Sequence, residues 1–168
     1  MHHTPTVHIV FGPLGAGKST IARQVAAQNN AVRFSIDEWM IQLFGADLPK
    51  SMSSSWMEDR VRRCEAKIWA VASQIMNVGS DVVLDLGFMR VSDRNRFIDS
   101  SNAASREFKL HYVTASHAIR RTRVLNRNTE RGETFAFEVT PMMFDFMEKQ
   151  CQSPTETELL TCNQICTD

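Results

Sequence analysis

The chain has 168 residues, a length that suits one domain with a sizeable core. Hydrophobic residues make up 43% of it and charged residues 23%, which is typical of a globular protein in water. The formal net charge is zero, so total charge gives no reason to expect a nucleic-acid or membrane partner. Four scattered cysteines without a metal-binding pair, no visible signal peptide and no apolar run of transmembrane length predict a cytoplasmic protein.

A glycine-rich stretch follows the first predicted strand, residues 7–11. Its spacing is Gly, four residues, Gly, Lys and Ser, which is the P-loop pattern that cradles phosphates. The next predicted helix, residues 18–28, adds its positive N-terminal end. Lys18 is expected to reach the β- and γ-phosphates, and the Ser19 hydroxyl to ligate Mg²⁺. The predicted nucleotide-binding residues are Gly12, Pro13, Leu14, Gly15, Ala16, Gly17, Lys18, Ser19 and Thr20.

Asp37 follows a second predicted strand, residues 32–36, and precedes a predicted short helix, 38–44. Its position allows two interpretations. As an N-cap it would accept backbone hydrogen bonds at the start of that helix. As a carboxylate at the C-terminal end of a parallel strand, it would lie beside the bound phosphates and could accept a proton from an attacking hydroxyl.

A predicted buried strand, residues 81–88, ends in Asp85 and Gly87. An apolar strand with an acid near its end is the usual second half of a P-loop site, and Asp85 is therefore a predicted Mg²⁺ ligand, directly or through water. Gly87 would let the backbone pass close to a ligand. Further helices are expected at 55–78 and 91–104, separated from the second strand by a turn-rich segment, 45–55.

Nine of the 14 arginines lie between residues 90 and 131. A helix after the fourth predicted strand, 108–113, carries Arg120, Arg123 and Arg127 on one face. These arginines suit a phosphate clamp or lid. An RNA-binding helix is the rival interpretation, which the neutral net charge and the missing aromatic residues disfavour. The remaining predictions are a helix at 142–150 and a fifth strand at 159–162.

With these residues assembled, the chain resembles the small P-loop kinases grouped with AAA-type ATPase-like proteins. That set includes chloramphenicol phosphotransferase, the zeta-toxin kinases, polynucleotide 5′-kinase and the gluconate and shikimate kinases. The resemblance covers nearly the whole chain. It rests on residues 12–19, 34–40, 82–88, 123–128 and 139–144.

The resemblance implies a single α/β domain, 1–168, in which helices cover both faces of a five-stranded parallel sheet of order 2-3-1-4-5. It also implies ATP and Mg²⁺ as cofactors, a substrate-side segment at about 38–63 and an arginine-rich lid at about 117–139. In the polynucleotide kinases and chloramphenicol phosphotransferase the acid after the second strand is the general base, and Asp37 occupies the matching position. Arg120, Arg123 and Arg127 fall where the family's lid arginines bind the transferred phosphate.

The expected activity is transfer of the γ-phosphoryl group of ATP to a hydroxyl of a small molecule. A 5′-hydroxyl nucleic-acid or nucleotide-sugar kinase and a non-catalytic nucleotide-dependent switch are the alternatives. Polynucleotide kinases carry a basic residue shortly after the base, whereas residues 39–42 here are Trp, Met, Ile and Gln, which favours an apolar small molecule. The predicted acceptor-side residues are Trp39, Phe44, Trp56, Arg60, Phe88 and Arg94.

Overall fold

The computed structural model describes residues 4–47, 53–130 and 138–168. Its strands, in chain order, are β1 (Thr6–Phe11), β2 (Val32–Ser35), β3 (Val82–Asp85), β4 (Glu107–Thr114) and β5 (Asn163–Cys166). Its α-helices are α1 (Lys18–Asn29), α2 (Ile36–Phe44), α3 (Ser54–Asn77), α4 (Val91–Ala103), α5 (His117–Glu130), α6 (Pro141–Gln150) and α7 (Glu156–Thr161). A short 3-10 turn, Gly45–Asp47, follows α2.

Within the described residues, five parallel strands form one sheet in the order β2-β3-β1-β4-β5. This is the predicted order, 2-3-1-4-5, and it is confirmed. Every residue of β1 is buried, because the strand lies at the centre of the sheet with helices on both faces. The C-terminal ends of β1, β2 and β3 meet at one edge of the sheet, which is where ligands bind in open α/β folds.

The two faces of the sheet have separate hydrophobic cores, and alternate residues of β1 contribute to each. Val7 and Ile9 belong to the core that contains residues of α3 and α4. Val10 packs instead with Ala22 and Val25 of α1. A third, smaller core of Val124, Val139 and Phe144 joins α5 to α6, with Leu14 of the glycine-rich loop packed against it. The loop is therefore attached to the helices that follow β4.

Two local predictions are wrong. Residues 159–162, predicted as the fifth strand, lie in or directly after α7, and β5 is Asn163–Cys166. Helix α7 forms because Thr155 and Glu158 make a capping box, each accepting a hydrogen bond from the other's backbone N–H. Asp37 is not the N-cap of α2, since the Ser35 side chain has that role.

Helix α1 ends at Asn29, one residue beyond the predicted end at 28. Asn30 adopts a left-handed conformation with φ of 49°, and its N–H bonds to the Ala26 carbonyl, which ends the helix. Two other predicted segments lie partly outside the described residues. They are the turn-rich segment, at positions 48–52, and the predicted lid, at positions 131–137, which include Arg131.

Candidate functional site

The glycine-rich loop connects β1 to α1 at the ligand-binding edge of the sheet. Gly17, whose φ is 89°, is the N-cap of helix α1, and no side chain caps the first turn of the helix. No acidic residue lies in that turn either, so its N–H groups and positive end are available to an anion. The Lys18 ammonium donates a hydrogen bond to the Pro13 carbonyl at 2.9 Å, which holds the lysine across the loop.

Two glycines of the loop are required by close backbone contacts. A β-carbon at Gly12 would lie 1.9 Å from the carbonyl oxygen of Val113 in β4. A β-carbon at Gly15 would lie 2.5 Å from the carbonyl oxygen of Arg120 in α5. Both residues also have positive φ, at 146° and 78°, which other L-residues rarely adopt. The loop can approach β4 and α5 this closely only because these positions lack side chains.

A cleft of about 550 Å³ opens beside the loop. Eleven of the predicted site residues line it, and they are Gly12, Leu14, Gly15, Gly17, Lys18, Ser19, Thr20, Asp37, Asp85, Arg123 and Arg127. Pro13 and Ala16 belong to the loop but lie outside the lining, and Ala16 is fully buried behind it. The structure therefore brings together the loop, the two predicted carboxylates and two of the three predicted arginines.

The charged groups of the cleft influence one another. Asp37 is an exposed residue, but the protein around its carboxyl desolvates it in part and so raises its pKa. The negative charge of Asp85 adds to this, whereas Lys18 and Arg127 act against it. Burial lowers the pKa of the Lys18 ammonium, against the attraction of Asp85 and Asp37. Burial also lowers the pKa of the Arg127 guanidinium, which Asp37 partly offsets. A carboxylate whose pKa is raised is a stronger proton acceptor, as general-base catalysis requires.

Asp85 is held by an arginine from the neighbouring strand. Arg33 of β2 donates from Nη1 to Asp85 Oδ2 at 3.1 Å, and its Nη2 bonds to Glu38 in the first turn of α2. The side chains of Arg33 and Asp85 are only 13% and 6% exposed. The pairing follows from the sheet, because β2 and β3 are parallel neighbours in which Ser35 lies opposite Asp85.

Ser19 and Asp85 both line the cleft and supply hydroxyl and carboxylate oxygens. The described residues contain no group of three or more His, Cys, Asp or Glu side chains that could hold a metal ion. Mg²⁺ in nucleotide sites takes one or two protein ligands and completes its coordination with phosphate oxygens and water. The two oxygen donors fit that ion, with one carboxylate oxygen of Asp85 engaged by Arg33.

The three predicted lid arginines occupy different positions. Arg127 lies in the cleft wall. Arg123 lies at the cleft as well, and donates to the Thr167 hydroxyl at 2.8 Å and to the Thr167 carbonyl at 2.5 Å. Arg120 does not line the cleft, and its guanidinium bonds to both oxygens of Glu148 at 2.6 and 2.7 Å and to the Leu14 carbonyl at 3.3 Å. Arg120 therefore braces the loop, which does not support its predicted contact with the transferred phosphate.

Thr167 is a lining residue for which the sequence carries no signal. Its hydroxyl donates to the Ala16 carbonyl of the loop at 2.9 Å, and its backbone N–H bonds to Thr114 at the end of β4. It reaches the site because β5 pairs with β4 and runs parallel to it. Two of the four residues of β5 are polar and three are exposed, so hydrophobic alternation does not reveal the strand.

Two predicted acceptor-side residues are structural. Arg94 is fully buried and bonds to both oxygens of Glu158, at 2.6 and 2.9 Å, as well as to the carbonyls of Gln152 and Ser153. Phe88 is 3% exposed and packs edge-on against Phe97. Neither side chain lines the cleft. Their positions do not support the predicted substrate contacts, because their partners lie within the core.

The other predicted acceptor-side residues, Trp39, Phe44, Trp56 and Arg60, also lie outside the cleft lining. Arg60 stacks on Trp56 with 3.8 Å between guanidinium carbon and ring centre, and Phe44 meets Trp56 edge-on. Trp39 packs against Phe34 of β2.

The apolar part of the lining comes from Leu14, Ile21 and Val124, and from Ile36, Met89 and Met147. Methionine in a loop and on a helix carries no pattern that distinguishes a pocket from a core. The two methionine positions were therefore not predicted.

No helix among the described residues combines the length and apolar character needed to cross a membrane. The four cysteines are free thiols, and the cytoplasmic location stays a prediction.

Comparison with known proteins agrees with this fold. A structure from Chloroflexus aurantiacus, described as that of a candidate kinase, superposes with a TM-score of 0.73 at 18% identity, covering 100% of this chain and 87% of that one. Kti12 from Chaetomium thermophilum, in complex with ADP-AlF3, gives 0.68 at 17% identity over 97% and 88% of the two chains. The APS kinase CysC of Mycobacterium tuberculosis, in complex with AMPPNP and APS, gives 0.64 at 18% identity over 100% and 91%.

A search of curated protein sequences finds no matching relative. At these identities the structural neighbours show a shared fold, that of the P-loop kinases. The family model described as AAA domain matches residues 7–154, which span β1 through the segment before α7 and include the loop, Asp37, Asp85 and the arginines of α5. The chain therefore belongs to the AAA domain family.

Proposed function

We propose that this protein is an ATP- and Mg²⁺-dependent phosphotransferase that acts on a hydroxyl group of a small molecule. The observation that carries the proposal is the shared cleft of Lys18 and Asp37. The loop and α1 line one part of the cleft, the first turn of α2 lines another, and α5 lines a third. A cation for phosphate and a carboxylate with a raised pKa therefore lie in one site.

The loop side is assigned to the nucleotide. Its free N–H groups and Lys18 would neutralise the phosphate oxygens, and Arg127 of α5, which also lines the cleft, would share the charge that develops during transfer. Two neighbours of this fold were solved with ADP-AlF3 and AMPPNP, which supports nucleotide binding here. Ser19 and Asp85 would hold Mg²⁺, which supplies charge neutralisation between the phosphates.

Asp37 would act on the acceptor. As the acceptor oxygen forms a bond to the γ-phosphorus, the bond from that phosphorus to the β,γ-bridging oxygen breaks and ADP leaves. The hydroxyl proton moves to the Asp37 carboxylate. The raised pKa of Asp37 suits this step, because the proton is held more tightly than by an ordinary aspartate in water.

The apolar lining supports a small acceptor with an apolar part. Ile36, Met89 and Met147 lie in the cleft, and they offer dispersion contacts but no hydrogen-bond donors from their side chains. The gluconokinase of Sinorhizobium meliloti shares this fold with a TM-score of 0.60 at 13% identity, so the same architecture accommodates small hydroxyl compounds.

The alternative of a nucleic-acid kinase would need a basic groove along residues 56–63 and 90–96. Most described arginines there have partners within the protein. Arg60 stacks on Trp56, Arg94 pairs with Glu158 and Arg96 pairs with Glu65. A protein of an RNA repair complex shares this fold with a TM-score of 0.56, so the fold is compatible with nucleic-acid substrates. The paired arginines nevertheless favour the small-molecule proposal. The position of Asp37 in the cleft likewise favours an enzyme over a switch.

The test is a panel of hydroxyl compounds assayed with radiolabelled ATP and Mg²⁺. For an acceptor that reacts, Asp37→Asn should lower kcat by about 10²- to 10⁴-fold while nucleotide affinity is retained, since the residue acts on the acceptor proton. Lys18→Met should lower kcat/KM by about 10²- to 10³-fold through lost phosphate stabilisation. Asp99→Asn, an exposed acid on α4, is the matched control and should behave as wild type.

Turnover by Asp37→Asn at the wild-type rate would remove the base assignment. Tight nucleotide binding without transfer to any member of a broad panel would remove the enzymatic proposal and leave the switch.

A further inference from the structure

Arg33 lies outside the cleft lining but joins one cleft acid, Asp85, to Glu38, the residue directly after Asp37. Its guanidinium forks between Asp85 at the end of β3 and Glu38 in the first turn of α2, with one nitrogen for each carboxylate. The side chains of Arg33 and Asp85 are 13% and 6% exposed, so their interaction occurs largely away from water, whereas Glu38 is 51% exposed. Arg23 of α1 approaches the same Glu38 oxygen at 3.7 Å. The guanidinium therefore links β2, β3 and α2 directly behind the cleft.

The position of Arg33 follows from the alternation of β2. Arg33 and Ser35 are two residues apart and lie on one face of the sheet, and Ser35 is opposite Asp85 across the strand pair. Ser35 in turn caps α2 by accepting a hydrogen bond from the N–H of Glu38. Two contacts, one from Ser35 and one from Arg33, thus hold Glu38, the residue directly after Asp37.

We infer that Arg33 is a positioning residue that holds the metal-side carboxylate of Asp85 and the first turn of α2 in a fixed relation. This inference rests on the proposed function. Arg33 engages Oδ2 of Asp85 and leaves Oδ1 without a bond to the guanidinium, and Asp85 lines the cleft together with Ser19. By engaging Glu38, Arg33 restrains the turn that carries Asp37. A planar fork is needed for this, because a single ammonium group cannot span two carboxylates in the same way.

The interaction of Arg33 with Asp85, the metal arm, and its interaction with Glu38, the second arm, can be tested separately. The metal arm is measured as the affinity of the wild-type protein and its variants for Mn²⁺, by electron paramagnetic resonance, with AMPPNP present and no acceptor. We expect Arg33→Met to weaken Mn²⁺ binding by about tenfold, the usual effect of removing a partner that orients a metal ligand. AMPPNP affinity without metal should change by less than about twofold, since Arg33 does not line the cleft.

The second arm is measured with a reactive acceptor. Glu38→Gln should lower kcat by about tenfold through misplacement of Asp37, with the KM for ATP and the Mn²⁺ affinity close to wild type. Arg33→Lys keeps the charge but not the fork, so its Mn²⁺ affinity should fall between those of Arg33→Met and wild type. Arg96→Met is the matched control, because Arg96 also pairs with a carboxylate, Glu65 at 2.7 Å, away from the cleft. It should leave Mn²⁺ binding unchanged.

Wild-type Mn²⁺ affinity in Arg33→Met, or full recovery with lysine, would overturn the positioning role. If Arg33→Met does not fold, judged by its thermal midpoint, Arg33→Lys carries the test with the same criterion of weakened Mn²⁺ binding. Weakened Mn²⁺ binding combined with no transfer to any acceptor would sustain the metal arm and remove the proposed enzymatic function. A wild-type protein that binds no Mn²⁺–AMPPNP would overturn both.

Discussion

Arg94 and Lys18 show two ways in which this protein surrounds a positive charge. Arg94 of α4 is fully buried and has Glu158 of α7 as a bidentate partner, three backbone carbonyls and the ring of Phe11 at 4.6 Å. Lys18, at the cleft, donates to the Pro13 carbonyl and has no carboxylate within salt-bridge distance among the described residues. The comparison indicates that a buried cation with a complete partner set supports the fold, whereas a poorly paired cation at a cleft is available to a ligand.

The largest expected effect is the difference in protein stability between a variant that removes Arg94 and one that removes Lys18. Arg94→Met leaves the Glu158 carboxylate buried without its partner, which should lower the free energy of unfolding by about 3–5 kcal/mol. Lys18→Met should change it by less than about 1 kcal/mol, because the lost hydrogen bond is with one carbonyl. Urea unfolding followed by circular dichroism measures both. Combining Arg94→Met with Glu158→Leu should recover part of the loss, and equal stability of the two single variants would contradict the distinction.

A pair of buried histidines, His8 of β1 and His111 of β4, extends the comparison to the pH dependence of stability. His8 Nδ1 and His111 Nε2 are 3.0 Å apart, with Asp81 and Lys109 as the neighbouring charges. Burial lowers the pKa of both imidazoles, that of His111 to about 4. Because the unfolded chain binds these protons more readily, stability should be complete above about pH 6.5 and decline as the pH falls toward 4.

The expected loss over that window is about 2–3 kcal/mol, read from urea unfolding at a series of pH values. His111→Gln should flatten the decline. His117→Gln, at an exposed position on α5, is the control and should leave it in place. A decline of equal size in both variants would assign the acid sensitivity to other groups.

The smallest effect concerns the helix that carries the partner of Arg94. Thr155 caps α7, and its N–H donates to Glu158 Oε2 at 2.8 Å while its hydroxyl accepts from the Glu158 N–H. Thr155→Ala removes the hydroxyl alone, so it should lower the free energy of unfolding by about 1 kcal/mol. Thermal unfolding measures it, with Thr157→Ala on the same helix as control. A loss as large as that of Arg94→Met would mean that α7, rather than the ion pair, sets the stability of this region.

The phosphate site was predictable because its information is local. A strand, a glycine-rich loop and a helix start are consecutive in the chain, and Asp37 and Asp85 each follow an apolar strand. Parallel pairing then brings those strand ends together without further signals. The sheet order and the cleft membership of Lys18, Ser19 and Asp85 follow from this logic.

The acceptor side was not predictable in the same way. Aromatic residues at 39, 44 and 56 suit a pocket and a core equally well, and here they pack with one another or with β2. Arg94 resembles a solvated helix residue in the sequence, but it is buried because Glu158, 64 residues later, lies opposite it. Such pairs depend on the tertiary fold, and neither partner carries a local pattern that names the other.

The two close contacts behind the phosphate loop have a wider consequence. The backbones of β4 and α5 occupy the space that side chains at Gly12 and Gly15 would need, so this side of the loop is closely packed. A ligand that binds on the other side therefore contacts a loop that is supported by the sheet and by α5. The same glycines that shape the phosphate loop also fix its position against the fold. Replacing either glycine with a larger residue would displace the neighbouring backbone of β4 or α5 before it altered the chemistry of the loop.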